Sequence, residues 1–193
     1  MKIKHILLSG SIIAMCSMHA SLVSAQQDKK IDVKQQRHAQ FTEVLSEHVD
    51  AKGLVNYSML CQNTQFEDYI NYLSKTNWQS LNADDQLAFW INVYNAFTLK
   101  VICDNYPVES INKLHTGGLA LATVFKSTVW DKKFFEINGE SMSLGHVEHE
   151  ILRKGPEKAR IHFAIVCAAV SCPPLRQKAY EGYKIDEQLD DQG

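Results

Sequence analysis

The stretch LAFWINVYNAF (residues 87–97) decides how the rest of the chain is read. Trp90, Ile91 and Tyr94 cover one side of a helix. Phe89, Val93, Ala96 and Phe97 cover others, and no formal charge falls between residues 86 and 99. A helix that is apolar nearly all round belongs at the centre of a domain. It is also shorter than a bilayer span and carries asparagines, which argues against a membrane helix. Asn92 and Asn95 lie three apart and so neighbour each other on the helix surface. A buried amide must be hydrogen-bonded. The pair therefore either pins adjoining backbone or lines a site.

Outward from this helix, SLNADDQ (residues 80–86) supplies its start. Asn82 is the cap, and Asp84 and Asp85 stand in the first turn, where the helix dipole favours carboxylates. NYPVESI (residues 105–111) stops it, because Tyr106 precedes Pro107. Upstream, HAQFTEVLSEHV (residues 38–49) and CQNTQFEDYINYLSKT (residues 61–76) carry apolar residues at helical spacing, with a break at Gly53 between them. Downstream, HTGGLALATVF (residues 115–125) is an ambiguous apolar run. TVWDKKFFEINGESMSL (residues 128–144) reads as two strands about Asn138-Gly139, a hairpin signal. SLGHVEHEILRKG (residues 143–155) reads as a helix capped by Ser143 and ended by Gly155. ARIHFAIVCAA (residues 159–169) reads as a buried strand, and residues 180–193 as a weakly structured acidic tail. Helices lead and strands follow. The expected class is α+β, a helical N-terminal half whose long buried helix packs on a small, mainly antiparallel sheet.

The chain of 193 residues, 45% hydrophobic, suits one domain with a sizeable core, expected over residues 37–193. Residues 1–25 read as a signal peptide: Lys2 and Lys4, a compact apolar run at residues 6–15, and small residues ahead of Gln26. Residues 26–36 form a polar lead-in. The expected location is periplasmic or secreted, with no stable membrane span once the signal is removed. The formal charge of −2 becomes −4 when Lys2 and Lys4 leave, so nucleic acid is not an expected partner. Of five cysteines, Cys61, Cys103, Cys167 and Cys172 remain beyond the signal, and export permits disulfides among them. Neither CxxC nor a Cys/His cluster at zinc spacing is present, so no metal or other cofactor is expected.

Chemistry could arise in two places. On the helix after Ser143, at about 100° per residue, Leu144, Val147, Ile151 and Leu152 share a face that includes Glu148. His149 lies at its margin, and His146, Glu150 and Arg153 fall outside it. A carboxylate on a core stripe must be paired, hydrogen-bonded or protonated. Glu148 is thus either an edge residue or an acid that orients a histidine. In the strand reading of residues 160–167, His162 shares a face with Ala164 and Val166. It is then either a satisfied core histidine or an acid–base group. Cys167 would stand roughly 16 Å along that strand on the opposite face, too far for a dyad with His162. Cys172, beyond a turn, is free to approach His162 or His149, with Glu148 as orienting group. Alternatively, Cys167 and Cys172 are joined as a disulfide and neither is a nucleophile.

GLVNYSML (residues 53–60), DQLAFWINVYNAFTLKVICDNYPVESI (residues 85–111), SLGHVEHEILR (residues 143–153) and ARIHFAIVCAAVSCPPLRQKAY (residues 159–180) resemble, in order, the domain-of-unknown-function 547 family. The resemblance implies an exported bacterial protein and a relation to papain/transglutaminase-like hydrolases. The motif positions it marks here are Trp90, Tyr94, Asn92, Asn95, Glu148 and His149, with His162, Cys167, Ser171 and Cys172. It also implies further core segments beyond the acidic tail, so the reading frame looks truncated. Two functions are carried forward. One is a thiol hydrolase or acyltransferase acting on a peptide or other envelope substrate. Its nucleophile is Cys172 or Cys167, its base His162 or His149, its orienting acid Glu148, and Asn92 or Asn95 donates to the oxyanion. The other is a non-catalytic binding module whose polar residues form a buried network.

Overall fold

The computed structural model describes residues 37–114, 128–168 and 172–193. The signal-peptide reading, the polar lead-in, the apolar run at residues 115–125 and Ser171 fall outside the described residues. The first helix, α1 (Ala39–His48), buries Phe41, Val44 and Leu45. A tight turn at Gly53 brings Val55 back to bridge Val49. A Cβ on Gly53 would lie 2.6 Å from Pro174 Cβ and 2.7 Å from the Leu175 nitrogen, at φ +77°, so only glycine suits this approach. The short α2 (Tyr57–Leu60) leads to α3 (Thr64–Lys75), whose cap Asn63 accepts from the Phe66 amide at 3.0 Å. Helices α1 and α3 meet through Phe41 stacked on Tyr69, ring centroids 4.5 Å apart.

Helix α4 (Ala83–Cys103) is the stretch on which the sequence reading turned. Asn82 caps it by accepting from the Asp85 amide at 2.9 Å, and Asp84 and Asp85 occupy its first turn, as expected. Every residue from Ala88 to Leu99 is buried. Each large apolar side chain so placed contributes about 1.5–3 kcal/mol. The helix can be this apolar because α2, α3, the hairpin, residues 144–154 and the C-terminal segments pack around it. Strands β1 (Phe135–Ile137) and β2 (Glu140–Met142) pair antiparallel, with Asn138 and Gly139 both at positive φ in the connecting turn. Phe135 stacks on Phe97 at 4.1 Å, which fixes the hairpin against α4.

Beyond the hairpin, Ser143 accepts from the His146 amide at 3.1 Å and starts a helical run over residues 144–154. It comprises α5 (Leu144–His146), a π-helical turn (Val147–Ile151) and a 3₁₀ turn (Leu152–Lys154), ended at Gly155. The next segment corrects the strand reading. Residues Lys158–Ala164 form helix α6, and only Ile165 begins extended backbone. The physical reason is pairing. Among the described residues the sheet has two strands, and a lone buried strand would leave its backbone groups without partners. A helix satisfies them internally, with Ile161 and Ala164 directed to the core. The acidic tail is likewise not loose. A 3₁₀ turn (Gly182–Lys184) runs into α7 (Ile185–Gln192), which buries Ile185, Gln188 and Leu189. Arg160 pairs with Asp186 and Asp190, and Arg176 with Asp191, so the carboxylates that made the tail look solvated are the groups that tie it down. The described residues from His38 onward form one unit, His38–Gly193, and the class is α+β.

Candidate functional site

Four of the expected site residues lie on one stretch of α4. Asn92, 1% exposed, donates from Nδ2 to the Tyr180 carbonyl at 2.7 Å, and its Oδ1 accepts from the Tyr180 amide at 3.0 Å. Asn95, 2% exposed, donates to the Ala164 carbonyl at 2.9 Å and accepts from the Val166 amide at 3.0 Å. Each amide thus closes a two-bond ring with backbone, at the end of α6 for Asn95 and in the irregular stretch before the Gly182–Lys184 turn for Asn92. Each Nδ2 gives one of its two N–H groups to this ring. Trp90 is buried between Trp78 and Phe89, both with centroids 5.1 Å away.

Tyr94 reaches the opposite neighbour. Its hydroxyl donates to Glu148 Oε2 at 3.1 Å, and Arg153 binds Glu148 Oε1 at 2.6 Å. Burial raises the Tyr94 phenol well above its ordinary pKa, and the Glu148 carboxylate raises it further. Arg153 is the residue the sequence reading placed off this face. In an α-helix, residues five apart diverge by about 140°. The π-helical turn at Val147–Ile151 widens the repeat and returns Arg153 to the Glu148 side. Glu148 is therefore a paired acid that ties this helical run to α4.

The remaining candidates do not join this cluster. Cys167 and Cys172 are bonded to each other, and so are Cys61 and Cys103, so none of these four sulfurs carries a thiol. Cys172 lines a cleft of about 200 Å³ together with Tyr57, Leu99 and Val166. His162 is exposed on α6, its ring edge-on to Phe163 at 5.5 Å, and not on a buried strand face. His149 is exposed on the π-helical turn. Among the described residues no hydrogen bond or ion pair links Cys172, His162, His149 and Glu148 to one another. No group of three or more His, Cys, Asp or Glu side chains suited to a metal occurs among the described residues. Among them too, no helix is long and apolar enough to cross a membrane.

A second cleft drew no notice in the sequence. Trp78, Leu87, Trp90 and Ile151 wall a space of about 390 Å³ near the start of α4. Of these only Trp90 had been singled out. Trp78 and Leu87 flank the start of α4 and Ile151 comes from a distant segment, so no local pattern unites them.

An α+β domain with a central helix pinned to backbone through two asparagines, and with two disulfides, is the class these observations define. The family model described as "Protein of unknown function, DUF547" matches residues 78–193, and the chain belongs to that family. No curated protein and no solved structure matches the chain.

Proposed function

We propose that this chain is a non-catalytic binding or interaction module of the periplasm or the extracellular space, released there by removal of residues 1–25. The observation that carries the reading is the Cys167–Cys172 bond, which leaves neither sulfur free to attack a substrate. The backbone rings closed by Asn92 and Asn95 and the surface positions of His149 and His162 support it. Two disulfides fit an oxidising compartment. A thiol hydrolase or acyltransferase acting on peptide or amide bonds is the second reading, favoured by one fact. Cys172 stands in the wall of a cleft beside Tyr57, where a reduced sulfur would meet a ligand.

Thiol titration of the mature, non-reduced protein separates the two. The expected result is no alkylation of Cys167 or Cys172 in the folded state, and full alkylation of all four cysteines only after denaturation with reductant. Rapid alkylation of one of them near neutral pH, lost on His162→Ala, would overturn the module reading.

A further inference from the structure

The cleft near the start of α4 has apolar walls and a charged rim. Two indoles form one side: Trp78 and Trp90 meet edge-to-face with an interplanar angle of 67°. Leu87 and Ile151 extend the apolar surface. Asp84, Glu157 and Asp186 line the space as well, and among the described residues no lysine or arginine does. Arg160 serves both Glu157 and Asp186. That guanidinium is shared with Asp190 as well, so one cation stands against three carboxylates, and Asp84 is exposed with no partner among the described residues. The first turn of α4 adds a partial positive charge of about half a unit, which offsets only part of this excess.

An apolar trough with a negative rim selects a particular shape of ligand. A neutral apolar group would leave the carboxylates without a counter-charge, and an anion would be repelled. A long methylene stem that ends in a cation satisfies both parts. The stem lies along the half-buried Trp78 with Leu87 and Ile151, the buried Trp90 backing Trp78, and the cation meets the carboxylates and the Trp78 face. The space suits one such side chain with its adjoining backbone, at the small end of ligand clefts. Its lining residues Asp84 and Asp186 are exposed, so a chain can reach it from solvent. We infer that the Trp78–Trp90 cleft binds a lysine or arginine side chain of a partner peptide. This deepens the binding-module reading and rests on it.

The test uses the mature, non-reduced chain labelled with ¹⁵N, followed through the indole N–H signals of its three tryptophans. The probes are capped tripeptides with a central arginine, lysine, norleucine or glutamate. Arginine and lysine peptides are expected to shift the Trp78 and Trp90 signals saturably and to leave Trp130 in place. Norleucine, which keeps the stem and lacks the charge, is expected to bind about tenfold more weakly, the scale of a cation–π contact with added charge pairing. Glutamate is expected to give no saturation. Asp84→Lys, and the milder Asp84→Asn, should weaken the basic peptides while the remaining spectrum stays that of the folded protein.

Norleucine binding as tight as arginine would overturn the inference, as would basic peptides unaffected by both Asp84 variants. So would the lack of any saturable indole shift at about 20 mM peptide, a concentration that reaches even weak single-residue affinities. The thiol titration reports separately on the reading beneath it. A silent cleft with unreactive sulfurs removes only the peptide site. A reactive cysteine removes the module reading whatever the cleft does.

Discussion

Asn92 and Asn95 do the same thing at two places on α4, and the reason lies in the amide group. It offers a donor and an acceptor side by side, which matches the N–H and C=O of a stretch of backbone that has no strand partner. Tyr180 gives both its backbone groups to Asn92, and the Ala164–Val166 segment gives one of each kind to Asn95. Removing the amide leaves two buried backbone groups unsatisfied, at about 1–3 kcal/mol apiece. Asn92→Ala and Asn95→Ala are each expected to destabilise the protein by about 2–4 kcal/mol in urea unfolding. Asn92→Asp should not rescue the first, because it keeps the acceptor for the Tyr180 amide but turns an anion toward the Tyr180 carbonyl. A loss under about 0.5 kcal/mol in either alanine variant would mean that water takes over the bonds and the pins are not structural. The sequence located this pair correctly on an otherwise apolar helix. It left open whether they pin or bind, because the partners, 69 to 88 residues away, are invisible to any local pattern.

At the scale of elements, legibility follows from how local the deciding force is. The cap of α4 at Asn82 and the Asn138-Gly139 turn were readable because the residue that acts and the backbone it acts on are neighbours. Helix α6 was misread because Ile161, Ile165 and Val166 carry strand propensity, whereas the choice was made by the lack of a strand to pair with. Arg153 was misplaced because a uniform 3.6-residue repeat cannot anticipate a π-helical turn. The cysteine pairing was left open, with a Cys167–Cys172 bond as one alternative, and its consequence is measurable. Cys61 follows α2 and Cys103 ends α4, 42 positions apart, whereas Cys167 and Cys172 are five apart. Loop-closure entropy in the unfolded chain then gives about 4 kcal/mol for the first bond and about 2 kcal/mol for the second. The Cys61→Ser/Cys103→Ser double variant is expected to lose more stability than Cys167→Ser/Cys172→Ser, read as the difference in urea unfolding free energy extrapolated to water with each variant's own slope. Equal losses, or the reverse order, would show that native packing at the sulfurs outweighs the chain-entropy term.

For the whole molecule, the central helix set the class because its burial requires something on every side, and that much the composition of one stretch reveals. What fills the last side was not legible. Helix α7 has few apolar residues, and it is held by Arg160 and Arg176, which lie in other segments. The same close packing governs the response of the protein to alkali. Four of its seven tyrosines, Tyr57, Tyr69, Tyr94 and Tyr180, have phenols pushed upward by burial, Tyr57 to about 12. Neighbouring negative groups add to the effect, Glu148 at Tyr94 and Tyr72 with Glu181 at Tyr69. In the unfolded chain a phenol ionises near about 10. Above that pH the unfolded state binds fewer protons than the native state, so stability falls as pH rises. The contribution is fully present below about pH 10 and is lost progressively as the pH climbs through the folded values, for Tyr57 about 12. Urea midpoints are therefore expected to drop steadily from about pH 9.5 to about pH 11.5, with the loss concentrated above pH 10. Absorbance of phenolate in the folded protein over the same range should account for fewer than seven tyrosines, the missing ones ionising together with unfolding. Titration of all seven phenols near pH 10 in protein that remains folded would mean that water reaches these rings and that the core around α4 is looser than its packing implies.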